Sequence, residues 1–209
     1  MKDFSIAMAL VDYIPVLFFG YGVALLQRGF YNKMSKGAFA LFATGTINVF
    51  VAGALKATYK LLYATKICDF EPLNAMFFPV QSIGFLLAGL AMLALLFRNQ
   101  GSDVATLSVA PVVWKGTFLF VGLMVLGLGC MDAGLCYVSA KMKRPVAMIL
   151  FVISFVCSLC MGYLSSRDFA EASMNWIAEG VNVIGQGCFM GGAIILNKAG
   201  LEQFKLPKR

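Results

Sequence analysis

Six apolar runs, separated by short charged segments, are the feature that most constrains the fold of this chain. A helix that crosses the hydrocarbon core of a bilayer needs roughly 20 mainly apolar residues. An α-helix also satisfies its backbone hydrogen bonds within one segment, as lipid requires. The sequence therefore predicts an all-α polytopic membrane protein with six transmembrane helices, at 6–26, 38–62, 73–97, 117–139, 145–164 and 172–196.

The composition excludes an ordinary soluble domain. Of the 209 residues, 60% are hydrophobic and 13% are charged, whereas soluble domains are about half apolar and about a quarter charged. The net charge of +7 does not indicate nucleic-acid binding, because Lys and Arg cluster at the ends of the apolar runs. At those positions basic residues set topology and contact anionic lipids. The lipid bilayer is thus the predicted partner, and no nucleic acid is expected.

One connection is longer than the others and divides the chain into two halves. Residues 1–98 and 117–209 would each form a three-helix membrane repeat, the second with a short basic C-terminal tail. Residues 99–116 would form an interfacial linker. This linker is expected to hold a short helix that begins near Ser102, with Trp114 and Lys115 at the level of the lipid headgroups.

A weak internal repeat supports this division. The segments 73–84 and 174–185 align without gaps, and an odd number of spans in each copy would place the copies in opposite orientations. Inverted repeats of this kind recur in transporters, with the path at the interface between the copies. The alternative is a chance alignment of two apolar helices. The aligned positions are Asn74 with Asn175, Val80 with Val181, Gln81 with Asn182, Ile83 with Ile184, and Gly84 with Gly185.

The distribution of basic residues predicts an orientation in a cell (inner) membrane. With six spans and a cytoplasmic N-terminus, the larger set of Lys and Arg lies inside, so both termini are expected in the cytoplasm. The inside set is Lys2, Lys56, Lys60, Lys66, Lys141, Lys143, Arg144, Lys198, Lys205, Lys208 and Arg209. The outside set is Arg28, Lys33, Lys36, Arg98, Lys115 and Arg167.

The last span carries a stripe of polar side chains. Asn175, Glu179, Asn182 and Gln186 are spaced by four, three and four residues, so they share one face of a helix. A charged carboxylate that faces acyl chains is costly, so Glu179 must face protein, face water or carry a proton. Aligned amides can exchange hydrogen bonds with a polar solute. The stripe is interpreted as the lining of a solute path, and the alternative is a hydrogen-bonded seam between helices.

The third span repeats part of this pattern. Asn74 and Gln81 are seven residues apart and share a face, so the path is expected between spans three and six. Phe78 takes the place of Glu179 in this copy, which makes any acid chemistry one-sided. Pro79 removes a backbone hydrogen bond and frees a carbonyl near Gln81.

Two further acids lie within spans, Asp12 in the first and Asp132 in the fourth. In the predicted topology, either could pair with Lys56 as a charge pair or proton relay. The alternatives are that Asp12 caps a helix that begins near Pro15, and that Lys56 and Lys60 extend to the headgroups.

The sequence offers little for enzyme chemistry. It contains no histidine, and its six cysteines lie mostly in apolar runs, including the CxxC pair Cys157 and Cys160. No catalytic residue, metal ligand set or cofactor motif is therefore predicted, and the chain is expected not to be an enzyme. Carboxylate-based chemistry on a lipid is the enzymatic option that stays open. The glycine-rich helices favour a homo-oligomer.

Some of these features are similar to those of the amide and urea channel family. They are the size, the six spans, Pro79 in the third span and the pair Glu179–Gly180 in the last. The fifth span and the connecting loops show no correspondence, so the sequence assigns no family. It predicts a membrane channel or secondary transporter for a small polar solute. The alternative is a non-transporting subunit that scaffolds or regulates a larger membrane complex.

Overall fold

The computed structural model describes residues 5–97, 117–165 and 172–204, and the regular structure in these ranges is helical. Six helical stretches are long and apolar enough to cross a membrane, which confirms the predicted all-α class and six spans. The first span combines two helices, α1 and α2, and the third combines α4 and α5. The helices are α1 Ile6–Val11, α2 Tyr13–Phe30, α3 Lys36–Ala64, α4 Glu71–Ala75, α5 Phe77–Leu96, α6 Thr117–Lys141, α7 Pro145–Ser165 and α8 Ala172–Lys198.

Two of the spans are interrupted close to a proline. The break between α1 and α2 falls at Asp12, and the break between α4 and α5 falls at Met76. Each break lies three residues before a proline, Pro15 or Pro79. A proline ring clashes with the carbonyl of the residue four positions earlier and removes its hydrogen bond. The predicted loss of a bond near Pro79 therefore coincides with a break in the helix.

The six spans form a closed ring. In order around the ring they are α2, α3, α5, α6, α7 and α8, and α8 packs against α2 to close it. Each half of the chain contributes three consecutive helices to the ring. Two seams join the halves, one between α5 and α6 and the other between α8 and α2.

The helices at both seams are parallel. At the first seam Gly127 packs against Phe85 and Gly134 against Met92, so residue numbers rise together along α6 and α5. At the second seam Gly22 packs against Met190 and Gly29 against Leu201, so α2 and the chain from α8 onward also run together. Helices within each half are antiparallel to their neighbours.

The two halves therefore run in the same direction, whereas the sequence analysis expected opposite orientations. The aligned pair Gly84 and Gly185 does occupy equivalent positions. Gly84 packs against Val49 of the preceding helix α3, and Gly185 packs against Cys157 of the preceding helix α7. Opposite orientations would follow if each half had three spans and if the linker began and ended at the same face of the membrane. In the structure, Phe97 and Thr117 lie at opposite ends of the ring, and residues 98–116 between them are outside the described ranges.

The two ends of the ring differ in charge. The acidic end, where α2, α5, α6 and α8 begin, holds Asp12, Asp69, Glu71 and Glu179 together with Lys56, Lys60 and Lys66. The basic end, where these helices finish, holds Arg28, Lys33, Lys36, Lys141, Lys143, Arg144 and Lys198 with Glu202. Because α2 and α8 are parallel, Ser5 lies at the acidic end and Phe204 at the basic end. The described ends of the chain thus lie at opposite ends of the ring, and the side of the membrane on which each terminus lies stays a prediction.

Several predicted features lie outside the described residues. They are the interfacial linker at 99–116 with its helix near Ser102, and the positions of Lys2, Arg98, Trp114, Lys115, Arg167, Lys205, Lys208 and Arg209.

Candidate functional site: a polar cavity at the acidic end of the ring

A cavity of about 370 Å³ lies inside the ring, in the half nearer the acidic end. Its volume falls at the lower end of the roughly 300–1,000 Å³ that is typical of small-molecule sites. All six spans line it, through the first halves of α2, α5, α6 and α8 and the second halves of α3 and α7. The cavity is thus central, and it is not confined to the interface of the third and sixth spans that the sequence predicted.

Polar side chains from four of the helices reach the cavity. α8 contributes Glu179, Asn182 and Gln186, which are three of the four residues in the predicted polar stripe, and α5 contributes Gln81 from across the ring. Asn175 and Asn74 are not among the lining residues, since both lie closer to the acidic end than the cavity does. Phe78, the counterpart of Glu179 in the alignment, also lines the cavity. The charged lining residues are Asp12, Lys56 and Glu179.

Lys60 joins the two carboxylates of this site. Its Nζ lies 2.5 Å from Asp12 Oδ2 and donates a hydrogen bond of 2.8 Å to Glu179 Oε1. The three side chains are 11%, 9% and 7% exposed, respectively. Two acids therefore share one ammonium in a nearly buried position. The lysine that pairs with Asp12 is Lys60, and the sequence analysis proposed Lys56.

The packing of α2 on α3 explains why Lys60 takes this place. Tyr13 Oη lies 2.9 Å from Thr58 Oγ1, and Gly53 packs against Val16. These contacts bring Asp12 level with the last turns of α3. Lys60 therefore points into the ring, and it does not extend to the headgroups. Asp12 precedes α2 but makes no side-chain capping bond to it, so its carboxylate is available to the lysine.

Lys56 lies one helical turn deeper than Lys60 and lines the cavity. Its Nζ sits 4.1 Å from the centroid of the Phe77 ring, a cation–π contact. No carboxylate in the described part of the chain lies within 4.0 Å of this nitrogen. Lys56 is thus a cation that faces the cavity without an ion-pair partner among the described side chains.

Aromatic rings close the inner end of the cavity. Phe19 stacks on Phe189 with ring centroids 5.2 Å apart and meets Phe85 edge-on at 6.3 Å. Phe189 in turn contacts Phe151 at 5.9 Å. These four rings, the aromatic floor, are each 5% exposed or less. Beyond the floor the ring is filled by fully buried apolar side chains, among them Leu26, Phe30, Phe42, Met92, Leu135, Val138 and Leu196.

Asp132 lies in this closed half, one helical turn beyond Leu128 of the cavity lining. It is 3% exposed, and neither carboxyl oxygen has a hydrogen-bond partner among the described residues. The structure does not bring Asp132 and Lys56 together in this arrangement of the helices. A buried polar group without a partner is costly, which makes Asp132 the least satisfied residue of the closed half.

The glycines of α8 have a packing role within a single chain. Gly185 packs against Cys157, Gly192 against Phe151 and Gly187 against Phe18. They allow α8 to approach α7 and α2 closely, so they do not require a second copy of the chain. The homo-oligomer stays a prediction. In the described ranges no cluster of His, Cys, Asp and Glu has the geometry of a metal site.

No family model, curated protein or solved structure matches the chain. The fold and the site define an α-helical membrane protein with a ring of six spans around a polar cavity.

Proposed function

We propose that this chain is an integral membrane transporter for a small polar solute, located in the cell membrane, with the central cavity as part of the solute path. The observation that carries the proposal is the cavity itself. It is surrounded by all six spans and lined by two carboxylates, a lysine and three amides, and such side chains are costly to expose to lipid. A structural hydrogen-bond seam would bring those side chains together without a space between them.

Among channels and transporters, the arrangement favours a secondary transporter. The cavity occupies one half of the ring, and the aromatic floor and the packed apolar side chains fill the other half. An alternating-access mechanism requires a site that is closed toward one side at a time. Parallel repeats of helices around a central site are one of the plans on which secondary transporters are built.

Flux measurements on purified protein in liposomes test this proposal. We expect the protein to raise the permeability for at least one solute in a panel of urea, glycerol, alanine and leucine, relative to protein-free liposomes. Glu179→Gln removes the charge that holds Lys60 and should reduce this flux at least tenfold. Glu202→Gln, an exposed acid at the basic end, is the matched control and should leave it unchanged.

Two results would contradict the proposal. One is an absence of flux for every solute in the panel, which would favour a non-transporting subunit of a larger complex. The other is equal flux through wild type and Glu179→Gln, which would remove the cavity from the path.

A further inference from the structure

Two charged side chains of the cavity, Glu179 and Lys56, lack part of their possible hydrogen-bond or ion-pair partners among the described residues. Glu179 is 5% exposed, and its Oε2 has no hydrogen-bond partner among the described residues, although Oε1 accepts from Lys60. Lys56 Nζ makes a cation–π contact and has no described carboxylate within 4.0 Å. Both residues line the same cavity.

These two points carry opposite charge when the four ionisable groups are in their usual forms. Asp12 and Glu179 share Lys60, so this triad has one negative charge in excess. Lys56 contributes one positive charge at another point of the lining. Among the described residues the charges of the cavity thus cancel, but the lining presents an acceptor for a cation and a donor for an anion.

A ligand that is neutral as a whole and carries both charges fits this pattern. A simple cation would leave Lys56 without an anion, and a simple anion would leave the excess negative charge of the triad in place. In a cavity of low dielectric, a charge that has no partner of opposite charge is costly. An uncharged solute would satisfy neither group.

We propose that the cavity binds a small zwitterionic amino acid with an apolar side chain. Its ammonium lies beside the Asp12–Lys60–Glu179 triad, attracted by the excess negative charge of the triad, and its carboxylate accepts from Lys56 Nζ. Gln81, Asn182 and Gln186 supply further hydrogen bonds, and the phenylalanine rings at positions 19, 77, 78 and 85 face the apolar side chain. This inference rests on the proposed function, because it names the solute class of the same site.

Thermal melting of the purified protein in detergent tests the solute class, since a ligand that binds only the folded state raises the melting temperature. The probes are L-leucine, 3-methylbutylamine, which lacks the carboxylate, and 4-methylpentanoate, which lacks the ammonium. We expect leucine to raise the melting temperature and to bind at least tenfold more tightly than either analogue. Lys56→Met should abolish the response, whereas Lys56→Arg should keep it.

The outcomes separate this inference from the proposed function. Equal responses to leucine and to one of its analogues, or a full leucine response in Lys56→Met, would overturn the zwitterion assignment. If urea or glycerol is transported while leucine neither binds nor moves, the proposed function stands and the solute class is wrong. If no solute moves, the proposed function fails as well.

A separate observation, the charge difference between the two ends of the ring, carries a second inference. Basic residues near the ends of spans remain on the cytoplasmic side. In the described ranges seven Lys and Arg lie at the basic end, and five of them are in or beside the short hairpin loops at 31–35 and 142–144. In the same ranges the acidic end has three lysines, and two of these, Lys56 and Lys60, point into the ring.

We infer that the basic end faces the cytoplasm and that the cavity lies on the extracytoplasmic side of the membrane. Because α2 and α8 are parallel, Ser5 and Phe204 then lie on opposite sides of the membrane. This inference does not depend on the identity of the solute or on the occurrence of transport.

Labelling of single cysteines with a membrane-impermeant maleimide tests the orientation. Cys68 is exposed in the connection between α3 and α4 at the acidic end. With the other five cysteines replaced by serine, Cys68 should react in intact cells. Lys143→Cys in a cysteine-free chain should react only after the cells are permeabilised. The reverse pattern would overturn the orientation, and the same pattern for both positions would overturn the parallel packing of the halves.

Discussion

Lys60 Nζ lies 2.8 Å from Glu179 Oε1, which ties α3 to α8 although these helices are not neighbours in the ring. Asp12, the residue before α2, binds the same ammonium. Three of the six spans therefore meet at one charged group beside the cavity. This contact fixes the acidic end of the ring and also sets the charge that a solute would meet there.

Loss of Lys60 should destabilise the fold. Lys60→Met leaves two neighbouring carboxylates without a cation, and breaking a buried ion pair in this way costs about 3–5 kcal/mol. We expect a value near 3 kcal/mol because the adjacent cavity admits water. The melting temperature in detergent measures the effect, with Lys66→Met as the control for an exposed lysine. Equal melting of the two variants would show that the triad contributes little to stability.

The aromatic floor should separate the cavity from the basic end. Phe19→Ala removes a ring that stacks on Phe189, and truncation of a buried phenylalanine costs about 3–5 kcal/mol. If the variant remains folded, we expect it to leak solute down a gradient faster than wild type. Leu17→Ala is the matched control, since Leu17 is 62% exposed on the outside of the ring. A Phe19→Ala variant that leaks solute no faster than wild type would show that other residues form the barrier.

Replacement of Asp132 by an apolar residue should stabilise the protein. An unpartnered buried polar group costs roughly 1–3 kcal/mol, so Asp132→Val is expected to raise the melting temperature. Asp132→Asn keeps two polar atoms at the same position and should not. If the carboxyl is needed in another state of the transport cycle, Asp132→Val will also transport more slowly. A fall in the melting temperature of Asp132→Val would mean that Asp132 has a partner outside the described residues.

The parallel seam between α5 and α6 depends on Gly127. A Cβ at this position would lie 2.5 Å from the carbonyl oxygen of Phe85, too close for any side chain. Gly127→Val should therefore prevent folding or lower the melting temperature sharply. Gly122 is on the same helix with nothing within 4 Å of an added Cβ, so Gly122→Val should be tolerated. Tolerance of both substitutions would argue against the observed packing of the two halves.

Much of the fold could be predicted from the sequence, because the lipid requirement acts on each span by itself. The apolar runs gave all six spans, and the spacing of Glu179, Asn182 and Gln186 placed them on one face. The relative orientation of the halves depends on contacts between helices, and the sequence of one span does not show which helices it will contact.

The ion pair of Asp12 in the structure is with Lys60, whereas Lys56 was the predicted partner. Lys56 and Lys60 are one helical turn apart and share a face, so the sequence cannot say which of them reaches Asp12. The choice is made by the register of α2 against α3, which the contacts of Tyr13 with Thr58 and of Val16 with Gly53 determine. Asn175 belongs to the same polar stripe but is not among the residues that line the cavity.

Water access to the cavity tests the central claim most directly. In a cysteine-free chain, Gln186→Cys would place a thiol in the cavity lining, and Ile184→Cys would place one on the outer face, where Ile184 is 58% exposed. A small hydrophilic thiol reagent, applied to the protein in liposomes, should modify Gln186→Cys and leave Ile184→Cys unmodified, because only the cavity is hydrated. An inert Gln186→Cys, or equal reaction at both positions, would contradict a water-filled solute path inside the ring.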